Sequence, residues 1–331
     1  TNENCRRQWK GVQEMRRKTR AFFTNKAAVP LLALVCTALW GTAFPVIKLS
    51  YKQFYIASRD IGAKLLFAGE RFALAGLLVF LLALVLYRKP LTMKKRDIMP
   101  IVTLGLVQTT LQYVFSYIGV ANTTGTKTSV ITACSAFFAV LLAPLFFQSD
   151  QLHFKKIFGC LLGLAGIVVI QFNGVVFESF SFLGEGFVLL SALCSAGGSF
   201  ISKGVMKNRN AMQVTAFQMF AGGAVLIIIG GAFGGKLYYT NWQHWALLAY
   251  LAVVSAIAFT LWTALLAYNP VGKICIFNLM IPLFGTLWSG ILLGENIFTL
   301  NNLLSIVLVC TGIWLVHAVP GEQSGTQKKK R

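Results

Sequence analysis

Four charged side chains stand inside or beside long apolar runs: Glu70, Arg71, Lys127 and Lys273. A carboxylate in such a place takes up and releases a proton, and a cation there attracts an anionic solute. Long charged side chains also reach an interface or pair with a neighbour, so each of the four has a structural interpretation as well. Lys273 follows Pro270 at the start of a predicted helix, whose amino end favours an anion. These residues are candidates for gating or coupling.

Polar side chains recur every three to four residues in two apolar runs, which places them on one face of a helix. One run carries Gln108, Gln112 and Ser116, and the other carries Ser191, Ser195, Ser199 and Ser202. A serine hydroxyl hydrogen-bonds to its own helix, so a serine stripe is also typical of packing. Glutamine amides have no such local partner. We therefore expect Gln108 and Gln112, together with Ser195, to contact a solute.

A proline interrupts the apolar run that starts at Asn278. The ring of Pro282 removes an amide donor and disrupts the hydrogen bond to the carbonyl group of Asn278, four residues earlier. That carbonyl group and the Asn278 side chain are then polar groups in an apolar run, where they must face protein or a wet cavity. The break predicts either a kink beside a solute site or a packing kink with Asn278 as an interhelical contact.

Aromatic residues at corresponding depths form a second candidate set, the apolar walls of a site: Trp40, Tyr113, Phe259, Trp262 and Trp288. Many aromatic residues of a membrane protein face lipid or its interfaces instead. Trp40 and Trp262 lie on faces that also carry small or polar residues. We therefore favour Trp40, Tyr113 and Trp262 as substrate contacts.

The composition determines which elements position these residues. Of 331 residues, 56% are hydrophobic and 12% are charged, with a mean hydropathy of +0.68. A soluble domain has about 25% charged residues. Backbone groups in hydrocarbon must be satisfied within each span, and the runs are too long for barrel strands, so the fold class is all-α integral membrane. Ten runs have spanning length: 28–49, 65–87, 98–120, 125–147, 156–172, 184–203, 212–234, 244–268, 272–294 and 299–319.

The basic residues predict the orientation. Most of the 30 Lys and Arg residues fall in the two tails, 1–27 and 320–331, and in alternate loops. The positive-inside rule then places both termini in the cytoplasm and the chain in the cell (plasma) membrane. The net charge of +20 indicates anionic lipid headgroups as partners of the tails, rather than nucleic acid. The seven cysteines lie mainly in the spans without metal spacing, so neither a disulfide framework nor a cofactor is expected.

A weak internal repeat divides the chain. Shifting residues 121–170 by 146 positions aligns Lys127 with Lys273 and Gly166 with Gly312. The predicted halves are 28–172 and 184–319, joined by an outer linker over 173–183. Each half has five spans, so the second enters the membrane from the opposite side. Ten transmembrane helices in two inverted five-helix repeats are the architecture of many secondary transporters.

Four segments resemble the EamA group of the drug/metabolite transporter superfamily: "LWGTAFPVIK", "GERFALAGLL", "IGVANTTGTKTSVI" and "NPVGKICIFNLMIPLFGTLWSGILLGE". The resemblance implies a ten-span carrier, with a central cavity lined by spans 1, 3, 4, 6, 8 and 9, that moves small metabolites, often by export. The chain departs from the pattern in its first half, where Ala136 replaces the proline and Gln148-Ser149-Asp150 replaces Gly-Glu.

The sequence thus predicts a secondary transporter that exports a small organic metabolite, an amino acid or a similar solute, by alternating access. The alternative is a membrane-embedded enzyme or a receptor without transport activity. An enzyme requires clustered nucleophiles, bases or ligands, and the three histidines are scattered along the chain, so no enzyme is expected. Gly159, Gly163 and Gly166 form a small-residue face that serves packing within the bundle or a homodimer.

Overall fold

The structure is a computed structural model that describes residues 17–88, 91–171, 180–207, 209–293 and 299–318. In these residues the secondary structure is helical, without strands. The C-terminal basic tail, most of the N-terminal one, most of the predicted linker, and Gly294 and Glu295 at the end of the ninth predicted span lie outside the described residues. The all-α prediction is confirmed.

Ten helical rods follow one another in the described residues. They are α1 (Ala28–Gln53), α2 (Ile61–Tyr87), α3 (Lys95–Ala121), α4 (Gly125–Phe146), α5 (Phe154–Gln171), α6 (Phe182–Val205), α7 (Ala211–Ala232), α8 (Trp242–Tyr268), α9 (Val271–Cys275, Ile276–Leu279 and Met280–Leu293) and α10 (Leu300–His317). Nine of them, all except α5, are counted as long and apolar enough to cross a membrane within the described residues. The protein is therefore a multi-pass membrane protein, while the tenth span and the inverted repeat stay predictions.

Several helices begin at a side chain that accepts a hydrogen bond from the first turn. Asp60 accepts from the Ala63 amide at α2, and Thr124 accepts from the Lys127 amide at α4. Such caps satisfy amides that have no partner within the helix. The α2 cap moves the start of this helix to Ile61, four residues before the predicted start.

Two helix pairs pack with their backbones unusually close, and glycines allow it. In the α2–α7 pair, a Cβ atom at Gly69 would lie 2.6 Å from the Ile227 nitrogen. In the α5–α10 pair, a Cβ atom at Gly159 would lie 2.6 Å from the Gly312 oxygen. Small residues at helix spacing permit this approach in lipid. The glycine face of α5 therefore serves packing against α10 within the chain.

The remaining helices form the interior between these pairs. α1 packs on α8 and α9, α4 packs on α6, and α3 packs on α6 and α7. The α1–α9 contact is close as well, because a Cβ atom at Gly41 would lie 2.5 Å from the Phe284 Cβ atom. The main buried apolar cluster draws on α1, α4, α8 and α9, including Cys36, Leu265 and Ile274.

Three interior helices depart from α-helical geometry, and one of them, α6, begins with a π-helical turn over Phe182–Gly186. α3 contains a π-helical turn over Leu106–Leu111, and α9 contains a 3₁₀ turn over Ile276–Leu279. The 3₁₀ turn directly precedes the residues around Pro282, so the predicted helix break is present. Such interruptions leave backbone groups less regularly paired and often mark functional sites.

Candidate substrate-binding site

A continuous series of aromatic rings crosses four helices in the interior. The Trp40 ring of α1 contacts Trp262 and Phe259 of α8 at centroid distances of 5.0 and 5.2 Å. Phe259 contacts Phe72 of α2 at 6.0 Å, and Phe72 contacts Tyr113 of α3 at 4.6 Å. All four contacts are edge-to-face, the favoured geometry for aromatic pairs. We call these five rings the aromatic series; it brings Trp40, Tyr113 and Trp262 together.

One face of α8 organises this interior. Ser255, Phe259 and Trp262 are spaced by four and three residues, so they lie along the same side of the helix. Ser255 is the middle residue of Trp242–Tyr268. The aromatic series therefore crosses the protein near the midpoint of a membrane-spanning helix.

Arg71 lies beside the aromatic series. Its side chain is buried, with 3% exposure, and its Nε donates a hydrogen bond to Ser255 Oγ at 2.8 Å. Ser255 Oγ donates in turn to the Leu251 carbonyl oxygen at 2.8 Å. The guanidinium carbon is 4.9 Å from the centroid of the Phe72 ring. Ten residues separate Arg71 from the start of α2, which is about 15 Å of helix.

Tyrosine hydroxyl groups surround this cation. Tyr51 of α1 and Tyr113 and Tyr117 of α3 all lie within electrostatic range of Arg71. The Tyr51 hydroxyl is buried and neighbours the hydroxyl of Tyr117. Tyr51 and Tyr117 are site residues that the sequence analysis missed, because a tyrosine near a helix end is typical of the membrane interface.

Glu70 is adjacent to Arg71 in sequence but has a different environment. Its carboxylate accepts a hydrogen bond from the hydroxyl group of Tyr239, in the segment between α7 and α8. Burial and this bond raise the pKa of Tyr239. Tyr239 also packs edge-to-face on Phe54, with ring centroids 5.1 Å apart. The structure thus separates Glu70 from the aromatic series and places it against the α7–α8 connection.

The π-helical turn of α3 distributes its polar residues between two neighbours. Thr109 donates to Gln218 Oε1 of α7 at 3.1 Å. Gln108 is buried against α6, where a Cβ atom at Gly198 would lie 2.7 Å from the Gln108 Cβ atom. Gln112 is half-buried and follows the turn directly, one residue before Tyr113. Gln108 therefore belongs to the α3–α6 contact, whereas Gln112 lies at the end of the π-helical turn.

The serine stripe of α6 is partly self-satisfied. The Ser199 hydroxyl donates to the carbonyl oxygen of Ser195 at 3.1 Å. Ser195 is half-buried, one turn before Gly198, on which Gln108 packs. This confirms the local hydrogen bonding expected of serines for Ser199, and it places Ser195 at the α3–α6 contact.

Asn278 lies within the 3₁₀ turn of α9. Its Oδ1 atom is buried and has no hydrogen-bond partner among the described residues. The Pro282 carbonyl oxygen accepts from Thr286 Oγ1 at 3.0 Å. Trp288 lies further along α9 and makes no ring contact with the aromatic series in the described residues. Asn278 therefore offers an unpaired acceptor. Trp288, which was a candidate for the aromatic walls, does not join the aromatic series.

Lys127 is paired. Its Nζ lies 2.9 Å from Glu185 Oε1, and both residues are buried, with 8% and 7% exposure. Glu185 also accepts from Thr123 Oγ1 at 2.8 Å and from the Ser181 amide at 2.7 Å. The pair ties the start of α4 to the start of α6. We call it the first tie.

Lys273 has different surroundings from Lys127, although the repeat aligns the two. It is half-buried in the first segment of α9 and lies within electrostatic range of His317 of α10, as does Lys156 of α5. The structure thus places Lys273 among basic groups and Lys127 beside a carboxylate.

A second ion pair was missed by the sequence analysis. Asp150, just after α4 and 1% exposed, lies 3.4 Å from Lys203 Nζ of α6. Asp150 also accepts from the amides of Val271 and Gly272 at 3.1 and 2.9 Å, which caps the start of α9. The sequence feature that could have indicated this pair is Asp150, which stands where the family pattern has Gly-Glu. We call this pair the second tie, since it joins the ends of α4 and α6 to α9.

The site has no features of a metal centre. Among the described residues, no group of three or more His, Cys, Asp or Glu side chains is placed to hold a metal ion. Around the aromatic series, the described residues provide the Arg71 guanidinium, aromatic rings and tyrosine hydroxyls. Such a combination is typical of sites for small organic molecules.

Comparison with known families and proteins identifies transporters as relatives of this chain. The EamA-like transporter family matches residues 28–172 and again 182–318. The uncharacterized transporter YvbV of Bacillus subtilis is 26% identical over 302 residues, covering 88% of this chain and 92% of that protein. A probable amino-acid metabolite efflux pump of Escherichia coli is 24% identical over 296 residues, covering 86% and 93%.

A third relative and one solved structure extend the comparison. An S-adenosylmethionine/S-adenosylhomocysteine transporter of Chlamydia muridarum is 24% identical over 318 residues, covering 89% of this chain and 94% of that protein. One solved crystal structure has a TM-score of 0.72 at 17% identity, covering 88% of this chain and 96% of that chain. At this identity the solved structure supports the fold alone.

Proposed function

This chain belongs to the EamA-like transporter family, and from that premise we propose that it is a secondary carrier that exports a small organic metabolite across the plasma membrane. The observation that carries the proposal is the aromatic series, which four helices build beside the buried Arg71. Apolar rings with a few convergent polar groups are typical of small-molecule sites. Both termini would lie in the cytoplasm, as the basic residues predict.

Alternating access would follow from the proposed inverted repeat, which two observations support. The family matches the chain twice, once in each predicted half. The helix packing also keeps its pattern when each helix is exchanged with the one five places along. The α1–α9 and α1–α8 contacts become α6–α4 and α6–α3, while α2–α7 and α5–α10 map onto themselves. Two such halves can rock about a shared site, so that it opens to either side.

The two ties are candidates for the gates. Both join α4 of the first half to α6 of the second, one at each end of the contact. Opening one end breaks its ion pair, and differential solute binding must offset that cost. Lys127 therefore acts in the first gate. The second tie also holds α9, and the break at Asn278 and Pro282 allows this helix to bend. Lys273 stands three residues after Pro270 as a further cation near that gate.

The relatives support an organic solute and outward flux. One is named an amino-acid metabolite efflux pump, and another is named a transporter of S-adenosylmethionine and S-adenosylhomocysteine. An amino acid or a similar small metabolite also suits a site with aromatic walls and amide groups. The proposed substrate contacts are Trp40, Gln108, Gln112, Tyr113, Ser195, Trp262 and Asn278.

Counterflow in reconstituted liposomes tests the carrier function. The purified protein should exchange at least one labelled metabolite of a broad panel against the same unlabelled solute. Gln112→Ala and Asn278→Ala should each slow that exchange about tenfold, since each removes a hydrogen bond to the solute. Gln243→Ala and Asn301→Ala, at exposed positions on α8 and α10, are the matched controls. A panel without counterflow, or equal losses in the controls, would refute the assignment.

Proton coupling through Glu70 is tested separately. If Glu70 exchanges the coupling proton, Glu70→Gln should abolish uptake driven by a pH gradient and leave solute exchange intact. The readout is uptake with and without an imposed gradient in the same liposomes. Tyr239→Phe, which removes the hydrogen bond to Glu70, should alter the pH dependence and preserve coupling. Unchanged pH dependence in Glu70→Gln would assign Glu70 a purely structural role.

A further inference from the structure

The charge of Arg71 is not balanced by a carboxylate in the described part of the protein. Five of the ten acidic residues are described, and each has another partner. These partners are the Ala63 amide for Asp60, Tyr239 for Glu70, Arg209 for Asp97, Lys203 for Asp150 and Lys127 for Glu185. A cation at this depth is costly unless something pairs with it, and such a residue indicates a functional site.

The hydrogen-bonding capacity of Arg71 is also largely unused. Nε is occupied by Ser255, but the two terminal nitrogens, with four N–H groups, have no hydrogen bond to the residues that the structure describes. The hydroxyl groups of Tyr51, Tyr113 and Tyr117 lie within electrostatic range of the guanidinium, and those of Tyr51 and Tyr117 neighbour each other. The cluster thus presents several donors and one fixed positive charge.

We propose that Arg71 and the surrounding tyrosine hydroxyls bind the carboxylate of the transported solute, so that the substrates are organic acids, amino acids included. This inference rests on the proposed carrier function and deepens it. The planar guanidinium group matches the two oxygens of a carboxylate. One carboxylate also balances the single charge of Arg71, whereas a phosphate monoester with about two negative charges would leave an excess in the membrane interior.

The rest of the solute lies along the aromatic series. Phe72 follows Arg71 directly in sequence. Tyr113 contacts the Phe72 ring and lies within electrostatic range of the guanidinium. An acid held by Arg71 therefore has its body against aromatic rings, which favours an apolar or aromatic side chain. Ser255 is a positioning residue, because its bond to Nε holds the guanidinium group in a fixed orientation beside α8.

Counterflow with matched solutes tests the proposal. The series is phenylalanine, 3-phenylpropionate, phenylalaninamide and phenethylamine, with leucine, 4-methylpentanoate, leucinamide and 3-methylbutylamine as the aliphatic set. The wild-type protein should exchange acids from at least one set and fail with the amides and amines. Arg71→Gln should slow acid exchange at least about tenfold, the loss expected for a charge-assisted hydrogen bond. Arg71→Lys should fall between, since it keeps the charge and loses the planar fork.

Controls separate the outcomes. Arg59→Gln removes an exposed arginine between α1 and α2 and should leave exchange unchanged. Each variant must elute as the wild type does in size-exclusion chromatography before transport is measured. Equal exchange of acids, amides and amines, unaffected by Arg71→Gln, would overturn the carboxylate site and leave the carrier intact. Absence of exchange with every acid of both sets would overturn the carboxylate site, and counterflow with the broad metabolite panel then decides the carrier function separately.

Discussion

Two basic residues inside the bundle differ in what surrounds them. Lys127, at the start of α4, lies 2.9 Å from the carboxylate of Glu185, which two further donors also contact. Arg71, ten residues into α2, has a serine and tyrosines as neighbours and no carboxylate partner among the described residues. The charge of Lys127 is thus balanced by a carboxylate of the protein itself. Arg71 has N–H groups that make no hydrogen bond to the described residues.

The difference separates two uses of charge in a membrane protein. A paired charge holds two helices together and opposes their separation, which suits a gate. A buried charge without a counter-ion destabilises the empty protein, and an anionic solute relieves that cost on binding. The ties lie at the ends of the α4–α6 contact, and Arg71 lies next to the centre of α8. The positions agree with these two uses.

The largest effect is expected at the first tie. Lys127→Gln leaves the buried Glu185 carboxylate unpaired and should lower the free energy of unfolding by about 3–5 kcal/mol. Unfolding in mixed micelles with increasing sodium dodecyl sulfate measures this change. The double variant Lys127→Gln with Glu185→Gln removes both charges and should recover most of the loss. A double variant as unstable as the single one would show that the pair is not what stabilises this end.

A smaller effect is expected at Arg71. Arg71→Gln loses the bond to Ser255 and gains by removing an uncompensated charge, so its free energy of unfolding should change by about 1 kcal/mol or less. The same micelle titration provides the measurement, with Lys127→Gln as the reference. A destabilisation as large as that of Lys127→Gln would mean that Arg71 has a charged partner, and the comparison between the two residues would fail.

The candidate site was only partly accessible from the sequence. Trp40, Tyr113 and Trp262 were predicted as walls, and the structure joins them through Phe72, which no polar or spacing pattern distinguishes from other phenylalanines. Gln112 and Gln108 were predicted as one stripe, and the structure packs Gln108 against Gly198 of α6. The π-helical turn between 106 and 111 changes the helical register there, and apolar composition gives no sign of such a turn.

The break in α9 illustrates the opposite case. A proline removes a backbone donor wherever it occurs in a helix, so the disturbance around Asn278 followed from residue type alone. The structure shows it as a 3₁₀ turn that ends at Leu279. The pairing of Asp150 with Lys203 and the start of α9 did not follow, because these residues lie 53 and 121 positions apart in sequence.

The sequence alone determined that the protein lies in a membrane and that it is helical. It also identified the polar and charged residues whose burial in lipid costs free energy. Those follow from local properties: the length of an apolar run, the missing amide of a proline, the charge of a side chain. The tertiary structure decided which charges meet and which side of each helix faces the interior. In water a polar face marks the outside of a helix, but in lipid both the outward and the inward faces are apolar. The rotation of each helix, and with it the choice between a paired Lys127 and an Arg71 without a carboxylate, depends on contacts between distant parts of the chain.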